Sequence, residues 1–486
     1  MFLTIGIVAT LFRRRLLRHD QKWSSGVSWW MTTSLGNRIC LSCPFVCAIS
    51  KFRANLDWQQ TKLFEMTGDS STTKRSFASH TPKWQRFQST VNQISNKASD
   101  STTHVYRRQY SHVYAQRLVM LKNRCWKLVP DGLHRINRVL DLREDVKCVL
   151  VGTLVKESSG SGKPLGDDTR CREGDAMALE DESGRVSLAL ENVHDYSSGM
   201  VVAVEGSVKE GGVMHVTNIY LPSTAPHPKL QGELRDSSNS HSPCVLLLSG
   251  LDCGNPAAST MKRDMLLAYL EGHMTSSASR VCRVVVAGDS IHKDNMTYGT
   301  KELDGFLAQI CAAGIPIDLL PGKDDPTTAN WPQRPIHSAL LPFSSTFRNQ
   351  LLTRTPNPYA AGLGNKYVLG TDGRNVLDLQ KSLWKEDKPY SELETLERIV
   401  ECGHLCPTGP DSVPTVPHTE TDPMVIQQTP HILFSGNCRK FSTGVVKHSN
   451  GAARLVCIPK FADSGEAVLV HLSSMDCELL RFDDSM

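Results

Sequence analysis

The 486-residue sequence predicts a mixed fold, a small closed β-barrel followed by a larger α/β domain. Two observations carry that expectation. Five short, turn-bounded apolar segments crowd into residues 143–222, the density of a small barrel. From residue 243 onward, apolar strand-like runs alternate with helical stretches, the pattern of an α/β sheet whose functional loops sit at the carboxyl ends of strands.

The barrel strands are expected at Lys147-Cys-Val-Leu-Val-Gly-Thr-Leu-Val, Ala176-Met-Ala-Leu-Glu, Arg185-Val-Ser-Leu-Ala-Leu, Met200-Val-Val-Ala-Val and Val213-Met-His-Val-Thr-Asn-Ile-Tyr. A Gly/Ser-rich loop follows the first, and a short helical insert precedes the fourth. The commonest barrel of this plan is the OB-fold. Ahead of it, residues 104–142 form a helical segment in which Tyr106, Tyr110, Val113, Tyr114, Leu118, Leu121 and Cys125 recur at spacings of three and four; that stripe predicts a helix packed on its own protein. Residues 223–242 read as a linker. Beyond it, Cys244-Val-Leu-Leu-Leu, Arg283-Val-Val-Val-Ala and Ile315-Pro-Ile-Asp-Leu-Leu are strands, with helices at Met261–Met274 and Lys301–Ala313. Ser391-x-x-Glu394 is a capping box, and its helix should stop at Gly403. Further strands are expected at 431–434, 455–458 and 467–472.

Charge is distributed unevenly. Residues 1–65 carry nine Lys/Arg against three Asp/Glu, whereas the remainder is close to balanced at −2. After residue 65 there is no basic run of the kind that grips nucleic acid. The fifteen cysteines are scattered singly, which excludes a dense secreted disulfide scaffold and favours reduced thiols. Cys40-x-x-Cys43-x-x-x-Cys47 and Cys402-Gly-His404-Leu-Cys406 have metal-like spacing but lack a complete ligand set. Residues 1–65 combine an apolar, Arg-bearing start with half of the eight tryptophans. They read as an extension, either a gene-model artefact ahead of a start at Met66 or a transit-like leader. The expectation is the artefact. Residues 66–103, rich in Ser, Thr, Lys, Gln and Asn, are expected to be a disordered lead-in.

Four segments of the α/β part fall in the order and strand-then-loop context of a two-metal phosphoesterase. They read Leu-Ser-Gly-Leu-Asp-Cys-Gly (248–254), Ala-Gly-Asp-Ser (287–290), Pro-Gly-Lys-Asp-Asp-Pro (321–326) and Phe-Ser-Gly-Asn-Cys-Arg (434–439). They resemble the calcineurin-like metallophosphoesterases, whose motifs are Asp-x-His, Gly-Asp-x-x-Asp, Gly-Asn-His-Asp/Glu and Gly-His-x-His. On that alignment Gly250 stands at the first Asp and Asp252 at the first His. Asp289 is kept, but His292 falls at the second acid. Lys323 and Asp324 replace Asn and His, and Asn437 and Arg439 replace the last His pair. Two-metal hydrolysis needs converging carboxylate and imidazole ligands, and a Lys and an Arg in their place repel divalent cations. The expectation is therefore a site with no catalytic and no metal-binding residues. Its competitor is one hard cation held by Asp252, Asp289, Asp324 and His404, supporting residual Mn- or Mg-dependent phosphodiesterase activity.

An OB-fold followed by an inactivated phosphoesterase domain (243–486) resembles the B-subunit family of replicative DNA polymerases, most specifically its delta branch. The likeness rests on Arg108-Gln-Tyr-Ser-His-Val-Tyr-Ala-Gln-Arg-Leu, Leu179-Glu-Asp-Glu, Leu319-Leu-Pro-Gly-Lys-Asp-Asp-Pro-Thr, Thr355-Pro-Asn-Pro-Tyr, Leu369-Gly-Thr-Asp-Gly-Arg-Asn-Val and Cys406-Pro-Thr-Gly-Pro-Asp, and runs from about Arg107 to Phe482. It implies a non-catalytic nuclear scaffold in DNA replication and repair. Such a scaffold holds the carboxy-terminal cysteine-rich module of the DNA polymerase delta catalytic subunit, docks a third accessory subunit, and meets the sliding clamp only indirectly. It implies no cofactor, since the complex's iron–sulfur cluster belongs to the catalytic chain, and no membrane. DNA contact is expected to be weak or indirect, because the barrel offers only Tyr196 and Tyr220 as aromatics for stacking; single-strand binding by the barrel is the second alternative. The turns at Asn357-Pro-Tyr359 and Thr421-Asp-Pro423 are expected to be structural first and contact sites second.

Overall fold

A computed structural model of the chain describes residues 109–230, 243–347, 351–385, 387–418, 420–448 and 451–483, together with the backbone of 30–32 and 38–40. The chain divides into two compact units, Met1–His80 and Thr81–Met486. In the first, β1 (Trp30–Thr32) pairs antiparallel with β2 (Arg38–Cys40). Tyr106, Cys43, Cys47 and the whole lead-in, 66–103, lie outside the described residues.

The second unit opens with α1 (Ser111–Trp126), followed by β3 (Arg135–Ile136) and the barrel strands β4 (Lys147–Glu157), β5 (Ala176–Glu180), β6 (Arg185–Ala189), β7 (Val201–Lys209) and β8 (Val213–Tyr220). The order β4-β5-β6-β8-β7 closes through a β4–β7 pairing, with β6 and β8 parallel. This is an OB-fold. Strand β4 reads as a continuous apolar run because both its faces are covered. Leu150 and Leu154 enter the barrel interior, while Val149 and Val151 pack outside against Leu118, Leu121 and Cys125 of α1. At Gly152 the neighbouring strand approaches so closely that a Cβ would stand 2.8 Å from both the Glu180 carbonyl and Leu179 Cγ. The insert before β7 is a short 3-10 turn, Val193–Asp195.

The α/β part stacks two sheets. One holds β9 (Cys244–Leu248), β10 (Val281–Ala287), β11 (Ile317–Leu320), β12 (Leu352–Arg354), β20 (Glu466–His471) and β21 (Cys477–Arg481), in the order β12-β11-β10-β9-β20-β21. The other holds β13 (Tyr359–Leu363), β14 (Lys366–Thr371), β17 (Ile432–Cys438), β18 (Ser442–His448) and β19 (Gly451–Pro459), in the order β13-β14-β17-β19-β18. Strands β9 to β12 are mutually parallel, as are β14, β17 and β19, while β15 (Trp384–Lys385) and β16 (Lys388–Pro389) form a separate antiparallel ribbon.

Alternation within each strand builds the layers. On β9, Val245 and Leu247 face the second sheet's Ile432, Phe434 and Val456. Cys244, Leu246 and Leu248 face α2 (Thr260–Leu270) and α3 (Met296–Ala312). The second sheet's other face is covered by α4 (Arg374–Gln380) and α5 (Glu392–Cys402). Helix, sheet, sheet and helix thus form a four-layer sandwich. Its apolar outer layer on α5 runs without a break into the barrel interior, through Leu396, Ile399 and Met424.

Helix α5 shows its capping box directly. Ser391 Oγ accepts from the Glu394 N–H at 3.2 Å, Glu394 Oε2 accepts from the Ser391 N–H at 2.8 Å, and Gly403 closes the helix at φ 66°. Ser391→Ala is expected to cost about 1 kcal/mol of stability, read from the denaturation midpoint; an unchanged midpoint would remove the box from the account. One expectation needs correction, and two further points add to the reading. Helix α3 starts at Met296 rather than Lys301, because Gly299 lets the helix approach the Cys253 carbonyl instead of breaking it. The hairpin β13–β14 and the helix α4 occupy a stretch to which the sequence assigned no element beyond the turn at Asn357-Pro-Tyr359. Asn357 and Asp422 are buried and hydrogen-bonded within the fold, so neither turn offers these side chains to a partner.

Candidate functional site

The loops that follow the parallel strands β9, β10, β11, β14, β17 and β19 converge at one end of the sandwich. Three side-chain-bearing residues there sit in the left-handed region: Asp252 at φ 47°, Asp289 at φ 49° and Asn437 at φ 52°. Such strain persists only where the surroundings over-determine it, and it concentrates at functional sites. Gly288 and Gly322 let the backbones meet closely, since a Cβ on Gly288 would stand 2.8 Å from Gly322 Cα.

Asp289 anchors the convergence. Its Oδ1 accepts from the Asp324 N–H at 3.2 Å. Burial pushes its carboxyl above the usual range, against the opposing Asp324 N–H and the Lys460 ammonium. Next to it, Asp325 is buried and its carboxylate accepts three backbone N–H groups, from Ser290 at 3.0 Å, Ile291 at 2.9 Å and Gly322 at 2.8 Å. Burial first, then Asp289, pushes Asp325 up to about 7. Asp372, after β14, is buried too and rises to about 7 for the same two reasons. Carboxyls brought together out of water cannot all ionise.

The other positions lie as follows. Gly250 has φ 60°, and a Cβ there would stand 2.6 Å from Lys460 Cγ and 2.7 Å from Asn437 Oδ1. Lys460 therefore occupies the space a side chain at 250 would need. Asn437 holds loops together, its N–H donating to Ser249 Oγ at 2.9 Å and its Nδ2 to the Asp372 carbonyl at 2.9 Å. Asp252 and His292 pair with each other, Oδ1 to Nδ1 at 2.8 Å. Lys323 and Arg439 are exposed, and both line a cavity of about 540 Å³ together with Asp289, Asp372 and Asn437. The Arg439 N–H donates to the Glu392 carboxylate. Among the described residues, no three His, Cys, Asp or Glu side chains form a group able to hold a metal ion.

His404 does not belong to this set. It is buried, its Nε2–H donating to Asp422 Oδ2 at 2.8 Å and its Nδ1 accepting from the Cys406 N–H at 3.1 Å; both ring nitrogens are thus satisfied by the neutral tautomer. Burial, reinforced by Arg117, pulls its pKa down to about 4. Arg117 Nε donates to the same Asp422 oxygen at 2.9 Å. Burial alone would raise Asp422, but His404 and Arg117 outweigh it and hold the carboxyl low. The grouping of His404 with Asp252, Asp289 and Asp324 around one cation therefore fails. Cys402 and Cys406 turn their thiols to the Ile399 carbonyl and to Thr408 instead of toward His404's ring. Asp325, Asp372 and Lys460 were not singled out from sequence, although each follows a parallel strand, the place where α/β sheets keep their functional groups.

Two family models match. The OB-fold domain of the DNA polymerase delta subunit covers residues 109–219, and the B subunit of DNA polymerase alpha/epsilon covers residues 245–443. Together with the barrel and sandwich they define an accessory B-type chain of a replicative DNA polymerase. The curated DNA polymerase delta small subunit of Oryza sativa subsp. japonica is 32% identical over 78% of this chain and 94% of its own length. That of Arabidopsis thaliana is 32% identical over 82% and 96%, and that of Saccharomyces cerevisiae 26% identical over 78% and 90%. The chain belongs to the DNA polymerase delta small-subunit family. A solved structure titled as a novel archaeal phosphodiesterase aligns with 49% of this chain and 98% of its own at 7% identity and a TM-score of 0.27, a distant likeness that adds nothing to the topology given above.

Proposed function

We propose that this chain is a non-catalytic scaffold of DNA polymerase delta in the nucleus, serving replication and repair. It holds the carboxy-terminal cysteine-rich module of the catalytic subunit, docks the third accessory subunit, and reaches the sliding clamp through them. It carries no cofactor and touches DNA weakly or indirectly. The observation that supports an inactive phosphoesterase site most strongly is the occupancy of the ligand positions. Gly250, Lys323, Asn437 and Arg439 stand where ligands are needed, and Lys460 fills the space in front of Gly250. Asp289 is the one motif carboxylate kept among these positions, and the Lys460 ammonium acts on it, so the donor set does not fit a pair of divalent ions.

Two measurements test the reading. Co-expressed with the catalytic chain, residues 66–486 are expected to co-purify with it through gel filtration; a lone monomer would sink the scaffold role. With Mn²⁺ added, the purified chain is expected to show no phosphodiester turnover, and turnover that vanishes in Asp289→Ala would restore an enzyme.

A further inference from the structure

The cavity over the converging loops has one wall that does not come from the sandwich. The loop between β4 and β5 reaches across from the barrel. The Arg170 N–H donates to the Lys381 carbonyl at 2.6 Å, Arg170 Nη2 meets Asp378 Oδ1 at 2.5 Å, and Lys381 Nζ meets Asp168 Oδ1 at 2.6 Å. The indole of Trp384 packs against Gly166, where a Cβ would stand 2.5 Å from the ring. These contacts turn an open loop cluster into a walled recess.

The charges of that recess are unequally committed. Asp168 is paired with Lys381, and Asp378 with Arg170 and with the Thr408 and Ser412 hydroxyls. Burial raises the Asp372 carboxyl to about 7, which reduces its charge near neutrality, and raises Asp289 as well. On the other side, Lys323, Arg374 and Arg439 all line the recess, and among the described residues none of them has a carboxylate within ion-pairing distance. Arg374 donates one Nη1 hydrogen bond to the Ala329 carbonyl, leaving the rest of its guanidinium uncommitted. The cations left without an ion-pair partner are therefore Lys323, Arg374 and Arg439, facing the rim acid Asp167, the partly protonated Asp372, and Asp289, whose Oδ1 already accepts from the Asp324 N–H.

We propose that this recess binds a small phosphate monoester of about nucleotide size, held by Lys323, Arg374 and Arg439. Guanidinium groups grip a phosphate through paired N–H bonds, and an ammonium adds a compact point charge. A volume of about 540 Å³ lies within the range of small-molecule sites and far exceeds a bare phosphate, so the anion carries a substituent. Leu377, Pro389 and Val413 supply an apolar wall for it. The inference rests on the reading that cations have replaced metal ligands here, and it adds a ligand to that reading.

The test is calorimetric titration of the full chain, purified with its co-expressed partners, in EDTA. The probes are deoxyadenosine 5′-monophosphate, inorganic phosphate and deoxyadenosine. Saturable binding is expected for the monophosphate, weaker binding for inorganic phosphate, and none for the nucleoside. Arg439→Ala and Lys323→Ala, both exposed side chains, are each expected to weaken the monophosphate about tenfold or more, roughly one decimal order in Kd, with Arg439→Lys recovering part of the loss. Exposed Lys447→Ala should change nothing. Absence of saturable binding up to about 10 mM, or affinities indifferent to both alanine variants, would overturn the proposal and leave the scaffold role standing. Binding that appears only with Mn²⁺ would instead overturn the metal-free reading beneath it. A phosphoserine peptide that binds where the nucleotide does not would reassign the recess to a protein partner and overturn the small-ligand assignment.

Discussion

Arg117→Ala is expected to destabilise the second unit by about 3–5 kcal/mol, the usual cost of stripping one partner from a buried ion pair. Arg117 is 1% exposed. Its guanidinium meets Asp422 at 2.9 Å, the Pro407 carbonyl at 2.8 Å, the Gly409 carbonyl at 2.7 Å and the Gly199 carbonyl at 3.2 Å. One side chain from α1 thereby serves the barrel and the sandwich together. Its removal leaves Asp422 charged and buried with only His404 and the Met424 N–H to satisfy it. Arg117→Lys keeps the charge but cannot span all four acceptors, so an intermediate loss is expected. Urea denaturation measures both. A midpoint shift in Arg117→Ala no larger than that of exposed Arg138→Ala would show that the network carries no weight.

Asp325→Ala is expected to cost about 3 kcal/mol or more, because three buried N–H groups lose their acceptor at about 1–3 kcal/mol each, with partial relaxation. Asp325→Asn keeps one acceptor oxygen and should lose less. The pH dependence separates charge from shape. Unfolded, Asp325 ionises near 3.8; folded, at about 7. The folded chain therefore retains a proton that the unfolded chain releases, and this group's contribution to stability falls as pH rises from about 4 to 7. His404, pulled down to about 4, works in the opposite direction between about 4 and 6.5, so the informative quantity is the difference between wild type and Asp325→Asn across that window. The variant should gain on wild type as pH climbs. Parallel pH profiles would contradict a protonated Asp325.

What could be read in advance follows from how local each signal is. The capping box of α5 and the apolar runs of β4 and β9 are decided by neighbours a few residues apart, and they stand where the pattern put them. Strand β13 is spelled Tyr-Ala-Ala-Gly-Leu, and its partner β14 carries Gly370 beneath the Phe434 ring. Small residues chosen for close packing erase the β-branched signature, so the hairpin was missed. The site divides the same way. Gly250, Asp289, Lys323 and Asn437 were legible because their loops keep a recognisable order. Lys460 and Asp372 were not, because they join the site only through the sheet order that sets β14 and β19 on either side of β17. His404 was misplaced for the converse reason. Its partner is Asp422, which Arg117 meets from the other side across 305 residues, and no spacing rule anticipates that network.

Two separate sets of ties join barrel to sandwich: Arg117 with its acceptors, and the β4–β5 loop with Lys381, Asp378 and Trp384. A joint fastened at one point can swivel, whereas one fastened at two cannot. Extending the chain within 231–242 by flexible residues should therefore leave the angle between the two halves unaltered, since the tether would not be what sets it. Proteins gripping either half would then be presented to each other at a single fixed bearing, as on a bracket rather than a leash.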